Sequence, residues 1–183
     1  MTEPRQGNHR TVLHNPAMKI NLERAFTDRP EVFAAWVQLN TAIKERMDLR
    51  RYELVTLAAA LKLRSSYCCL AHGRILLERF GEPVAEIVHD RRAANLSEVD
   101  LAVMELAERV VEDATSIEDA DLGRLRNLGL SEADIADVVY AASVRCFFSK
   151  TLDALGMLAD ASYRDLPADV QEALVVGRPI AAA

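Results

Sequence analysis

Apolar residues recur at three- and four-residue intervals along most of the chain, and the breaks between these runs fall on residues that start or stop helices. Behind Asp28 and Pro30, the positions Val32, Trp36, Leu39, Ile43 and Met47 keep a helical period, with proline in its first turn. Asp48 is placed to cap a second helix over about residues 49–63, whose stripe is Leu54, Leu57, Ala58 and Leu61. The run Ala58 to Ala60 permits close helix approach. Ser65 and Ser66 offer N-cap hydroxyls to a third helix that stops at Gly81, before Pro83, and a short segment continues to His89. A serine followed three residues later by aspartate occurs at Ser97/Asp100, Ser116/Asp119 and Ser131/Asp134. Each pair predicts a capping box. The helices they open end near Asp113, at Gly129 and near Ala161, the last being the longest.

Strand-like alternation is absent from this pattern, and seven glycines and six prolines in 183 residues leave few turns. The expected fold is all-α, a bundle of six to seven helices in one domain over residues 28–163. Residues 1–27 show no sustained period and read as an N-terminal arm. Pro167, Pro179 and the alanines from Ala181 mark a C-terminal tail over 164–183, free to fray or to dock on a partner. Within the longest helix Ile135, Val138, Val139, Ala142, Val144, Cys146, Phe147, Phe148, Leu152 and Leu155 spread over nearly the whole circumference. A helix of that kind is buried in its own core or between subunits, so an obligate homo-oligomer is expected. No glycine-rich phosphate loop and no internal repeat interrupts the helices.

Half of the residues are apolar and 27% are charged, which sets the chain apart from disordered sequences. Lys and Arg number 22 against 28 Asp and Glu, a net charge of −6 that disfavours nucleic acid and anionic membranes as partners. MTEPRQGNHR lacks the apolar core of a signal peptide, and no run of about 18 apolar residues could span a bilayer. A cytoplasmic location is expected. Three cysteines, Cys68, Cys69 and Cys146, form no even disulfide framework and suit a reducing compartment.

Chemistry concentrates in Ser65-Ser66-Tyr67-Cys68-Cys69-Leu70-Ala71-His72. With Ser65 as N-cap, Cys68 occupies the first helical turn, where free N–H groups and the helix dipole favour a thiolate. His72 follows four residues later on the same face, able to act as a base or, as a cation, to steady the thiolate. Cys69 is rotated by about 100° and points toward another layer. The competing reading is core filling, because free cysteine is among the most buried residue types. Two such residues do not close a metal site, and His9, His14 and His89 are not spaced to complete one, so neither a metal nor a cofactor is expected.

The helix pair from Arg51-Tyr52-Glu53-Leu54-Val55 to Tyr67-Cys68-Cys69-Leu70-Ala71-His72-Gly73, the turn Gly81-Glu82-Pro83-Val84, Leu96-Ser97 and Gly129-Leu130-Ser131-Glu132 together resemble the carboxymuconolactone decarboxylase superfamily. The similarity is to its alkylhydroperoxidase D-like branch and extends over about residues 30–160. It implies an all-helical fold, assembly as trimers or hexamers, and a motif of glutamate, Cys-x-x-Cys and histidine that reduces hydroperoxides. By this resemblance the glutamate falls on Glu53, the resolving cysteine on Ser65, the peroxidatic cysteine on Cys68 and the histidine on His72. The first cysteine is missing. Cys69 cannot replace it, because a disulfide between adjacent residues would strain a helix. Cys146, a small thiol or a partner's cysteine would have to resolve the sulfenic acid.

Spacing alone leaves Glu53 open: in an ideal hairpin turning near residue 65 it lies level with residue 77, about 7.5 Å along the axis from His72. It reads as a proton relay or as an exposed carboxylate in the first turn. Tyr67 lines a pocket or packs. The expected function is a thiol-dependent hydroperoxide reductase, a peroxiredoxin-type oxidoreductase with Cys68, His72 and Glu53 catalytic and Ser65, Tyr67 and Cys69 secondary. Its partners would be a hydroperoxide or small organic substrate and a thiol reductant. The alternatives are a carboxymuconolactone decarboxylase-like lyase and a non-enzymatic redox-sensing oligomer.

Overall fold

The computed structural model describes residues 20–182. Nine α-helices occur among them: α1 Ile20–Ala25, α2 Pro30–Lys44, α3 Leu49–Lys62, α4 Ser66–Phe80, α5 Val84–His89, α6 Glu98–Asp113, α7 Asp119–Asn127, α8 Glu132–Ala154 and α9 Ala168–Leu174. The two helices beyond the expected six or seven, α1 and α9, are short and lie in the segments read as an arm and a tail. His9 and His14 lie outside the described residues.

Helix α3 is the centre of the bundle. Every residue from Tyr52 to Ala60 is buried, and the helix packs against α4, α6 and α8. Its alanines let these neighbours approach, and α2 packs on α8. Asp48 caps α3 by accepting from Arg51 N–H, and the boxes Ser97/Asp100 and Ser131/Asp134 open α6 and α8. The expected Ser116/Asp119 box is not formed. Ser116 is held in a 3₁₀ turn, its hydroxyl donating to Asp113 O at 2.8 Å, and α7 starts two residues later with Asp121 accepting from Glu118 N–H.

The longest helix, α8, stops at Ala154 rather than near residue 161. Gly156 adopts φ +75°, and Met157 N–H returns to Leu152 O at 2.9 Å, which closes the last turn. Beyond it the tail folds onto its own domain. Val170, Ala173 and Leu174, a helical stripe, are buried where α9 meets α5 and α4. Gly177 then crosses the start of α4 so closely that a Cβ there would lie 2.1 Å from Arg64 O, and its N–H donates to Ser66 Oγ at 2.8 Å.

Candidate active site

Three helices converge on one buried point. From α4, Cys68 and His72 point inward one turn apart, 1% and 7% exposed. Glu53 of α3 is wholly buried and meets His72, its Oε2 lying 2.5 Å from His72 Nδ1. Arg64, in the turn between the helices, has φ +57°, which allows a tight reversal. With that reversal Glu53 falls level with residue 75, an offset of about 4.5 Å from His72 that two long side chains bridge. Glu53 is therefore not the exposed carboxylate of the alternative reading.

Lys44, at the end of α2, donates to the other carboxylate oxygen at 2.9 Å and also lies 4.9 Å over the Tyr52 ring. Burial pushes Glu53 upward, but His72 and Lys44 outweigh it and hold the carboxyl below its ordinary range. His72 is driven down to about 4, first by burial and then by the nearby Arg145 charge, against the pull of Glu53. At neutral pH the consistent state is a Glu53 carboxylate paired with Lys44 and a neutral imidazole donating Nδ1–H to it. That leaves His72 Nε2 as a proton acceptor.

The side of the site facing α8 is closed by Arg145, 3% exposed. Its NH1 lies 3.8 Å from Cys68 Sγ and its NH2 3.4 Å from Tyr52 OH, whose own proton goes to Asn40 Oδ1 at 2.6 Å. The guanidinium faces the rings of Phe148 at 5.6 Å and Trp36 at 6.0 Å. Trp36, stacked on Phe148 at 4.0 Å, is also a wall of an open groove of about 830 Å³ between α2 and α8. Val32, Leu39, Tyr140, Val144 and Phe147 are among its other walls, together with the polar Glu31 and Ser143.

The remaining motif residues lie around this point with other partners. Ser65 precedes α4 as expected, but its hydroxyl does not cap the helix; Oγ is buried with no hydrogen-bond partner among the described residues. Ser66 Oγ holds the tail instead of the helix end. Tyr67 donates to Asp160 Oδ2 at 2.8 Å and packs edge-on against Tyr163, and burial pushes its phenol far up. Cys69 is fully buried, and burial, reinforced by Cys68, pushes its thiol well above the ordinary range. Burial also raises the Cys146 thiol. Among the described residues no three or more His, Cys, Asp or Glu side chains group to hold a metal ion. Nor is any helix there long and apolar enough to cross a membrane.

Residues 30–113, which carry α2 to α6 and with them Glu53, Cys68 and His72, match the carboxymuconolactone decarboxylase family. The match covers less than half of the chain, and it is the part that holds these three side chains. Among solved structures, the fold is shared with the alkylhydroperoxidase AhpD core of an uncharacterized peroxidase-related protein from Ralstonia eutropha JMP134, with TM-score 0.72, 20% identity and 78% of each chain covered. An uncharacterized peroxidase-related protein from Silicibacter sp. TM1040 is similar at TM-score 0.71 and 20% identity, over 78% of this chain and 77% of that one. No curated protein matches the chain. Arg145 lies beyond the segment that matches the carboxymuconolactone decarboxylase family, and sequence reasoning missed it. The signal was present: it is a lone charge between Val144 and Phe148 in a helix otherwise read as apolar. Lys44, Asn40 and Tyr52 were equally silent, being ordinary residues on their own helices.

Proposed function

We propose that the protein reduces hydroperoxides by a thiol cycle centred on Cys68. The observation that carries this reading is the buried Glu53–His72 hydrogen bond, with the Cys68 thiol one helical turn from the imidazole. The AhpD-like fold supports it. Neutral His72 takes the Cys68 proton while Glu53 steadies the imidazolium so formed. The sulfur attacks the terminal oxygen of the hydroperoxide and the O–O bond breaks. The leaving alkoxide takes the proton back from His72 and departs as the alcohol. Cys68 is left as sulfenic acid, oxidised by two electrons. With Ser65 in the resolving position, two external thiols return it to the thiol, yielding their disulfide and water.

Mass spectrometry of the purified protein after hydroperoxide treatment tests the cycle. A trapped sulfenic acid adduct on Cys68, absent from Cys68→Ser, together with peroxide consumption, is expected. No adduct and no consumption would sink the proposal. The lyase reading draws on Ser65, since that chemistry requires no cysteine pair; muconolactone turnover that survives Cys68→Ser would favour it. Self-association belongs to the same reading. Helix α8 buries one face only, leaving Tyr140 and Phe147 beside Leu39 exposed on the groove, an apolar surface suited to a second copy.

A further inference from the structure

We infer that Arg145 is a further catalytic residue of this site, the group that holds the negative charge developing on Cys68 sulfur and on the leaving oxygen. This inference rests on the thiol cycle proposed above, and three observations on α8 carry it. The guanidinium is buried, yet among the described residues it forms no ion pair with a carboxylate. A buried cation without a fixed counter-charge is costly, and a core of this kind would be better served by an apolar side chain of the same size. Its contacts place it with purpose. Trp36 and Phe148 offer ring faces and Tyr52 offers its hydroxyl oxygen, so the planar group is oriented while its charge remains available. The one reacting atom it touches is Cys68 Sγ.

Charge accounting at the site points the same way. Glu53 is already matched by Lys44, and His72 is neutral before reaction, so neither brings a positive charge to the sulfur at the outset. Once His72 has taken the thiol proton, Glu53 faces the imidazolium and Arg145 faces the thiolate. Two oppositely signed pairs replace an isolated buried cation. When sulfur then gives its electron pair to oxygen, the negative charge passes to the alkoxide until His72 protonates it. Arg145 Nε–H, buried and without a partner, is the donor left for that oxygen.

The test uses Arg145→Met, which keeps the volume and removes the charge, and Arg145→Gln, which keeps a hydrogen-bonding group without it. The ultraviolet absorbance of the thiolate, titrated against pH with Cys68→Ser as the blank, should rise at a pH about one unit or more higher in both variants. The rate of sulfenic acid formation should fall by about tenfold or more, while the melting temperature of Arg145→Met is not lowered. A folded variant that titrates and oxidises like the parent would overturn the assignment. If Arg145→Met does not fold, Arg145→Gln carries the same expectations. The titration involves no peroxide, so a parent protein that forms no sulfenic acid would refute the thiol cycle while the shift, or its absence, still decides whether Arg145 governs the sulfur's charge.

Discussion

A buried imidazole held neutral has a consequence for stability. An unfolded histidine protonates near 6.5, whereas folded His72 stays neutral down to about 4. Between those values the unfolded chain binds the extra proton, so stability is complete above the upper one and declines as the pH falls toward the lower, by roughly 3 kcal/mol at most. Glu53 acts with the same sign further down, because its folded carboxyl is held below its ordinary range. Denaturant unfolding at successive pH values should show the decline, and His72→Asn should flatten it across the upper window; an equal slope in both proteins would mean that another group is responsible. At this scale the sequence was informative wherever chemistry was local. Cys68 and His72 are four residues apart on one helix and could be paired by counting. Glu53 needed the family resemblance, because side chains on two helices meet according to the turn between them. Arg145 could not be found that way, since 77 residues separate it from Cys68 and only the packing of α8 on the bundle joins them.

Helix ends were the most legible elements, because a cap is a contact between residues three apart. Asp48, Ser97 and Ser131 all cap where their spacing predicted. Ser131→Ala should therefore cost about 1 kcal/mol, readable as a lower denaturation midpoint with an unchanged slope. Ser65 illustrates the limit of such reading: it stands at the start of α4 with its hydroxyl unused, because position at a helix start does not fix where a side chain points. Ser116 shows a second limit. A preceding aspartate, Asp113, drew the chain into a 3₁₀ turn and moved the box to Glu118 and Asp121. The contact between Gly177 and Arg64 offers a stricter test, since a methyl group there would press on backbone. Gly177→Ala should lose about 1–3 kcal/mol and slow Cys68 oxidation, whereas an unchanged melting curve would show that the tail moves aside without cost.

For the molecule as a whole, the apolar pattern gave the all-helical class and its long central elements, because core helices must carry a stripe. It was less informative about which apolar faces would be covered within one chain. Helix α8 reads as apolar nearly all round, yet Tyr140 and Phe147 are exposed beside Leu39 of α2, and Leu155 is exposed just past its end. If a second copy covers the groove, Phe147→Asp should shift the sedimenting species to smaller mass while far-ultraviolet circular dichroism stays the same. A parent chain that sediments as a monomer at every concentration would leave the groove open to small ligands instead.

The strap of Gly177 over Ser66 joins residues 111 positions apart. In a growing chain the turn at Arg64 and the first residues of α4 leave the ribosome long before residue 177 is made. Cys68 therefore has its helix segment early and the strap over it late. A nascent chain halted between these points would carry the Cys68 sequence without the hydrogen bond that ties Ser66, in the first turn of its helix, to the tail.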